Sequence, residues 1–386
     1  MKIRLAHIVT NFALGGAQDY IITILKNLDP NKYELYVFGK MDGERLVEFN
    51  KLNFVNYSDV PSLSRDIFPL KDIVAIIQVF KLCKKFNIDI IHTHSSKAGV
   101  VGRIGARIAG VKGILHTIHG FSFHDFMTKK RKFIFILLER FMSFFTDALL
   151  LVSNKEKEIA INLKLRPRKF IKTIYNGVDF LPFNNNINRN ELRNSVGFQT
   201  SDFIIGFSGR FSQQKALHIL IEAFSKINLE LPSSRLLLVG DGILKDKLIQ
   251  QAAQLNVSDK ILMTGFQSNV VPYYKIMDVF VMTSLWEGLS RSLVEAMYAK
   301  LPVIATNVGG TSDAVRTDET GWLIEANNVN QVVSSVRDAY LNPEKREEMG
   351  EKAYHWARES FDIHKNVSQI SMLYEKIYSE PSKYDK

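Results

Sequence analysis

Residues 278–310 read DVFVMTSLWEGLSRSLVEAMYAKLPVIATNVGG, and the fold is decided here. Val279-Phe280-Val281-Met282 is a short apolar strand, followed by a turn through Ser284-Leu285-Trp286-Glu287-Gly288. The spacing predicts a helix over about Arg291 to Ala299, with Leu293, Val294, Ala296 and Met297 on its apolar face. Lys300-Leu301-Pro302 ends that helix, and Val303-Ile304-Ala305 makes the next buried strand. This is a strand–turn–helix–strand unit of a parallel sheet, in which ligands sit at the carboxyl ends of strands.

Two carboxylates mark the unit: Glu287 in the turn, and Glu295 inside the helix. Between them Gly288, Leu289 and Ser290 present backbone N–H groups at a helix start, where partial positive charge attracts an anion. A diphosphate there, with one Glu accepting hydroxyls from a sugar and the other from a ribose, uses every part. The plainer reading is an exposed helix with surface glutamates. Glu295 speaks against it, because apolar neighbours surround it and an acid so placed has a partner.

Strands and helices alternate on both sides of an Asn-rich break at 181–200, LPFNNNINRNELRNSVGFQT. Before it, strands are expected at Ile3–Val9, Tyr33–Gly39, Ile88–His92, Gly113–Thr117, Ala148–Val152 and Phe170–Tyr175. After it the alternation restarts at Phe203–Ser208 and closes with three helices, about Val329–Leu341, Glu344–Glu359 and Ile363–Ser379. The pattern predicts two α/β domains with doubly wound parallel sheets, over 1–180 and 181–362.

With 46% hydrophobic and 23% charged residues among 386, the chain has the make-up of a soluble globular protein. No apolar run is long enough to span a bilayer, and MKIRLAHIVTN reads as a first strand rather than a secretory signal. The single Cys83 excludes a disulfide framework and fits a reducing cytosol. Residues 1–180 hold 28 Lys+Arg against 16 Asp+Glu, so the whole excess of the net +10 lies in the first half. Such a half suits an anionic partner: nucleic acid, a membrane surface or a phosphorylated substrate.

Four further features carry chemistry. Gly15-Gly16 after the first strand allows close approach of backbone to a ligand, although no G-x-G-x-x-G is formed. Arg210 and Lys215, in GRFSQQK after the Phe203 strand, can neutralise a diphosphate or stand as solvated cations. His92, His94, His116, His119 and His124 cluster, but no carboxylate stands beside them in a metal-ligand spacing, and no Asp-x-Asp occurs anywhere. Lys129, Lys130, Arg131 and Lys132 precede the aromatic run FIFILLERFMSFF. A basic, aromatic, amphipathic helix reads as a membrane-surface element; the other reading puts the aromatics in the core.

The E-x7-E spacing of Glu287 and Glu295, with AMYAKLPVIATNVGG behind it, resembles the retaining family 4 glycosyltransferases. GRFSQQK, VGDG at 239–242, NGVD at 176–179 and TIHG at 117–120 extend the resemblance over nearly the whole chain, although EGLSRSLVE replaces the commoner EGFGxxxxE. The resemblance implies a GT-B fold: two Rossmann-like domains facing across a cleft, with residues 363–386 crossing back to the first. It implies that Glu287 binds donor-sugar hydroxyls, Gly288 to Ser290 the β-phosphate and Glu295 the ribose. Arg210 and Lys215 would hold the phosphates and Phe266 the base. His119 would reach the reacting sugar, and Gly15 and Gly16 would face donor and acceptor. HTHSSKAGVVGRIGARIAG most resembles bacterial members that extend undecaprenyl-diphosphate-linked glycans, implying a UDP-sugar donor, often N-acetylated, without metal or other cofactor, at the cytoplasmic membrane face. A lipopolysaccharide-core or soluble acceptor and a UDP-sugar 2-epimerase remain open on this fold. A nucleic-acid-binding protein is allowed by charge alone, but no RNA- or DNA-binding motif supports it.

Overall fold

A parallel sheet needs cover on both faces, and the continuous apolar runs of this chain meet that demand. The computed structural model describes residues 1–380 apart from Leu14, Arg65, Ser122, His124, Asp125, Phe126 and Asn186. The chain divides into two compact units, 1–177 with 363–386, and 178–362.

The first unit holds a seven-stranded sheet: β1 (Ile3–Asn11), β2 (Tyr33–Lys40), β3 (Val55–Asp59), β4 (Ile90–His94), β5 (Gly113–Ile118), β6 (Ala148–Leu151) and β7 (Phe170–Thr173). Their order is β3-β2-β1-β4-β5-β6-β7, all neighbours parallel. The second unit holds six parallel strands: β8 (Phe203–Ser208), β9 (Ser234–Val239), β10 (Ile261–Met263), β11 (Val279–Met282), β12 (Val303–Thr306) and β13 (Gly321–Ile324). Here the order is β10-β9-β8-β11-β12-β13. Each sheet therefore reverses direction once, between β1 and β4 and between β8 and β11. At these switch points the connections leave to opposite faces and open a crevice at the strands' carboxyl ends. All four residues of β11 are fully buried, a gain of about 1.5–3 kcal/mol for each large side chain.

Strand β3 and the helices Leu46–Asn50 and Asn154–Asn162 are absent from the sequence reading. β3 has only one buried residue, Val55, so its pattern carries no apolar run. The break at 181–200 folds as a 3-10 turn, Leu181–Asn184, and a short helix, Arg189–Ser195.

The final helix, Ile363–Ser379, packs into the first unit, not the second. Ile363, Val367, Ile370, Leu373, Tyr374 and Ile377 join one core with Leu5, Val37, Leu115 and Leu150. Tyr33 Oη shares a 2.7 Å hydrogen bond with Ser371 Oγ, and Lys32 pairs with Glu375 at 2.8 Å.

In the basic helix, Lys129–Ser143, most of the aromatic face lies outside the core. The helix's buried residues are Glu139, Met142 and Ser143. Phe133, Ile134, Leu137 and Phe141 are exposed, and so is Phe144 just beyond it. The cause lies on the neighbouring helix, Ser96–Ala109, where Arg103 is fully buried with Glu139 Oε2 at 3.3 Å, Gly99 O at 2.8 Å and Thr146 Oγ1 at 3.4 Å. The guanidinium draws the one acid of the basic helix inward, and the aromatics turn out. Arg103 thus adds nothing to a basic surface; Arg107 bonds Asp147 and the Phe145 carbonyl, and Lys97 pairs with Asp72. Glu139→Ala leaves Arg103 buried without its counter-charge and is expected to cost about 3–5 kcal/mol. Urea unfolding checks this; a loss below about 1 kcal/mol would show that the pair does not hold the helix in place.

Candidate active site

In the second unit the loops leaving β8 and β11 are stapled to one another. The Leu285 N–H donates to Gln214 O and Gln214 Nε2 to Trp286 O, both at 2.8 Å. Thr283 Oγ1 donates to the carbonyls of Lys215 and Ala216. Ala216 itself is left-handed, φ 46°, a conformation costing a non-glycine residue about 1–2 kcal/mol. These two loops flank the switch point, so the staples set the crevice floor. They bring Lys215 Nζ to 2.6 Å from Glu287 Oε1, with the two side chains only 13% and 7% exposed.

Gly288, Leu289 and Ser290 follow, all buried, and lead into the helix Arg291–Tyr298. Ser290 makes no side-chain capping bond to that helix; its hydroxyl instead meets Ser292 Oγ at 3.1 Å. The bend is held from behind by the loop after β12. Gly310 N–H donates to Gly288 O at 2.7 Å, and Thr306 Oγ1 donates to Ser284 O at 2.6 Å. Gly309 has φ +52°, and a Cβ there would lie 1.7 Å from Glu287 O. Only glycine lets that backbone pass. Two hydroxyls near this bend, Ser284 Oγ and Thr311 Oγ1, are buried without a partner.

Glu295 is 6% exposed and has the partners its apolar surroundings called for. Tyr274 Oη donates to Glu295 Oε2 at 3.0 Å, and Arg291 Nε to Glu295 Oε1 at 2.7 Å. The i,i+4 spacing of Arg291 and Glu295 is the signal that sequence reading passed over. Tyr274 left no such signal, since it comes from the separate helix Val271–Ile276. Burial and the neighbouring Glu295 charge push the Tyr274 phenol well above its ordinary range, keeping it a donor.

Arg210, after β8, is exposed, and Phe266 is 55% exposed beyond Gly265, whose carbonyl accepts from the Gly240 N–H. The structure thus joins Lys215 to Glu287 and sets Gly288, Leu289, Ser290 and Glu295 along the bend and helix that follow, with Arg210 after β8 and Phe266 after β10, two strands away in the same sheet.

Gly15, Gly16 and His119 belong to the first unit. Gly15 precedes the helix Gly16–Asn27, which lays the Tyr20 ring edge-on to His119 at 5.3 Å. Register explains the histidines. His7 pairs with His92 across β1 and β4, and His94 with Thr117 across β4 and β5, so the two-residue period puts them on one face. His116 falls on the other face, against Gly99. His124 lies outside the described residues.

Ring nitrogens of His7, His92 and His94 lie within 4.8 Å of one another. Within the trio His94 meets His7 at 3.0 Å; beyond it His92 meets Tyr374 Oη and Thr117 Oγ1, both at 2.6 Å, and His94 meets His119 at 3.0 Å, while His7 Nε2 has no partner. Burial lowers His7, His92, His94, His116 and His119, His7 to about 3 and His119 to about 4.

Glu156, which sequence reading missed, shows the opposite shift. It is 3% exposed, bonded to the Phe121 backbone, and pushed by burial up to about 8. Its other oxygen has no partner.

Residues 14–180 match the model described as Glycosyltransferase Family 4, and residues 188–356 that of Glycosyl transferases group 1. The chain belongs to the family 4 glycosyltransferases, and it is a hexosyltransferase of GT-B fold. Among its relatives is the UDP-Gal:alpha-D-GlcNAc-diphosphoundecaprenol alpha-1,3-galactosyltransferase of Escherichia coli, 34% identical and covering 97% of both chains. Another is the N-acetylgalactosamine-N,N'-diacetylbacillosaminyl-diphospho-undecaprenol 4-alpha-N-acetylgalactosaminyltransferase of Campylobacter jejuni, 25% identical over 86% of this chain and 89% of that one. Anabaena HepE, solved with UDP-glucose, superposes with a TM-score of 0.84 over 97% of this chain and 100% of that one, at 21% identity.

The shifted groups fix a pH profile. Neutral buried histidines give stability that is fully present above 6.5 and is lost as pH falls toward 4 and 3, because only the unfolded chain binds those protons. Glu156, raised from 4.5 to about 8, destabilises the fold as pH rises across that interval. Five histidines outweigh one glutamate below 6.5, so stability is expected to peak near 6.5–7 and decline on both sides. Glu156→Gln should flatten the alkaline limb and make the rise from 4.5 to 6.5 steeper. Thermal melts from pH 4 to 9 test this, and a profile still rising from 7 to 8 in the wild type would contradict it.

Proposed function

We propose that the chain transfers a hexose of the galactose or N-acetylgalactosamine type from its UDP-sugar, with retention, to an undecaprenyl-diphosphate-linked glycan. The relatives above support donor and acceptor class by the names they carry. The observation that bears the weight is the Lys215–Glu287 pair beside a helix start. Without donor, the two groups neutralise each other in a nearly dry pocket. An arriving diphosphate takes Lys215, the Gly288–Ser290 amides and Arg210, and releases Glu287 to accept sugar hydroxyls. The charge that develops on the leaving phosphate then meets fixed donors. Glu295, steadied by Tyr274 and Arg291, takes the ribose, Phe266 the base, and His119 with the Gly15–Gly16 turn the reacting sugar and acceptor.

Glu287→Gln is the informative variant, because Glu287→Ala also strands Lys215 and costs about 3 kcal/mol or more. With Glu287→Gln, turnover of radiolabelled UDP-galactose or UDP-N-acetylgalactosamine onto a lipid-linked acceptor should fall at least about 100-fold while UDP still binds. Wild-type turnover in that variant removes Glu287 from the site. Sugar conversion without acceptor would favour the epimerase instead.

The first unit is proposed to bind acceptor on the inner face of the cell membrane through Lys129, Lys130, Arg131 and Lys132. The outward Phe133, Ile134, Leu137 and Phe141 support this, since four cations beside exposed apolar side chains suit an anionic bilayer surface, each cation adding about 1 kcal/mol. Among the described residues no helix is long and apolar enough to cross a membrane. Serine at those four positions should reduce sedimentation with phosphatidylglycerol vesicles at least tenfold, and Phe133→Ser with Phe141→Ser should do likewise. Unchanged sedimentation in both would defeat the membrane assignment.

A further inference from the structure

Three imidazoles stand in file, from His7 in the middle of β1, through His94 at the end of β4, to His119 just after β5. His7 Nδ1 is 3.0 Å from His94 Nε2, and His94 Nδ1 is 3.0 Å from His119 Nε2. The rings are nearly parallel, tilted 10° at the first step and 28° at the second. His92 stands beside the file but is tied to Tyr374 and Thr117, and Tyr20 meets His94 and His119 edge-on without entering it.

Each 3.0 Å step holds one proton between two nitrogens. The rings are neutral, so each owns one N–H, and the two steps are not independent. If His119 carries its proton on Nδ1, its Nε2 accepts from His94 Nδ1–H, and His94 Nε2 accepts from His7 Nδ1–H. His7 Nε2 is then a bare lone pair. If the polarity is reversed, all three protons sit on Nε2, and His119 Nδ1 becomes an acceptor.

The two ends of the file decide between these arrangements. His7 Nε2 and His119 Nδ1 are both buried without a partner. His7 lies wholly inside, while His119 is only partly buried, in the loop after β5. An unmet N–H deep in a protein is rarer than an unmet acceptor. The favoured arrangement therefore leaves the lone pair at His7, wholly inside, and the N–H at His119, the less buried of the two residues, where it awaits an acceptor that no protein group supplies.

We propose that His7 and His94 are positioning residues that hold His119 as its Nδ1–H tautomer, giving the sugar-transfer site a donor of fixed polarity for a hydroxyl or phosphate oxygen. This rests on the glycosyltransferase reading for what His119 meets, but not for its tautomer. Free neutral imidazole favours Nε2–H, so the file holds His119 in the arrangement that water disfavours.

Long-range proton–nitrogen correlation spectra of the full chain, labelled with 15N-histidine, report the tautomers directly. His7, His94 and His119 are expected to show Nδ1–H before any ligand is added; Nε2–H at any of the three overturns the proposal. His94→Gln can still accept from His7 and donate to His119, and should keep the His119 tautomer. His94→Leu should release it to Nε2–H and lower kcat for UDP-galactose roughly tenfold or more with KM little changed. Equal kcat in His94→Leu and wild type also overturns it. If His94→Leu fails to fold, the wild-type spectrum decides alone. UDP affinity of the wild type, measured by calorimetry, tests the transferase reading separately: no binding sinks that reading, while the spectrum still decides on the file.

Discussion

The reversal of strand order between β8 and β11 is the constraint on which the second unit's chemistry depends. Parallel pairing makes both strands end at the same edge, and the reversal sends their connections to opposite faces. The backbone cannot fill the gap, so side chains and loop amides line it. Lys215 comes from the loop on one side and Glu287 from the loop on the other, and their ion pair joins the two. The Gln214 and Thr283 bonds do the same in backbone terms, so the loops move together or not at all.

The first unit uses the same geometry with a different content. Its reversal lies between β1 and β4, and what collects there is a set of neutral imidazoles instead of a charge pair. Tyr374 from the last helix and Tyr20 from the first close over them. Burial strips the rings of charge, and uncharged rings can pass hydrogen-bond polarity along a line, as ion pairs cannot. One unit thus offers charge and the other direction.

The sequence was most legible where the chemistry lies in one contiguous run. Glu287, the amides of 288–290 and Glu295 share a single bend and helix, and GRFSQQK is a single loop. What stayed hidden was whatever needs two distant segments at once. Tyr274 reaches Glu295 from another helix, Gly309 passes under Glu287 from another loop, and His7 joins His94 only through strand pairing. The basic helix was open to either of two readings for the same reason. Its pattern of phenylalanines gave no hint that Arg103, on a neighbouring helix, draws Glu139 inward and turns the rings out.

The return of the chain to its starting unit has a consequence for how the molecule is made. Residues 178–362 form a contiguous unit that holds every strand of its sheet by the time residue 324 has emerged from the ribosome. The unit begun first is finished last: until Ile363–Ser379 is synthesised, Leu5, Val37 and Leu115 lack their cover and His92 lacks its tyrosine. The usual order of maturation along a nascent polypeptide is thereby reversed. Ribosomes stalled just short of residue 363 would carry one completed half and one half whose sheet lacks part of its cover, a natural client for chaperones.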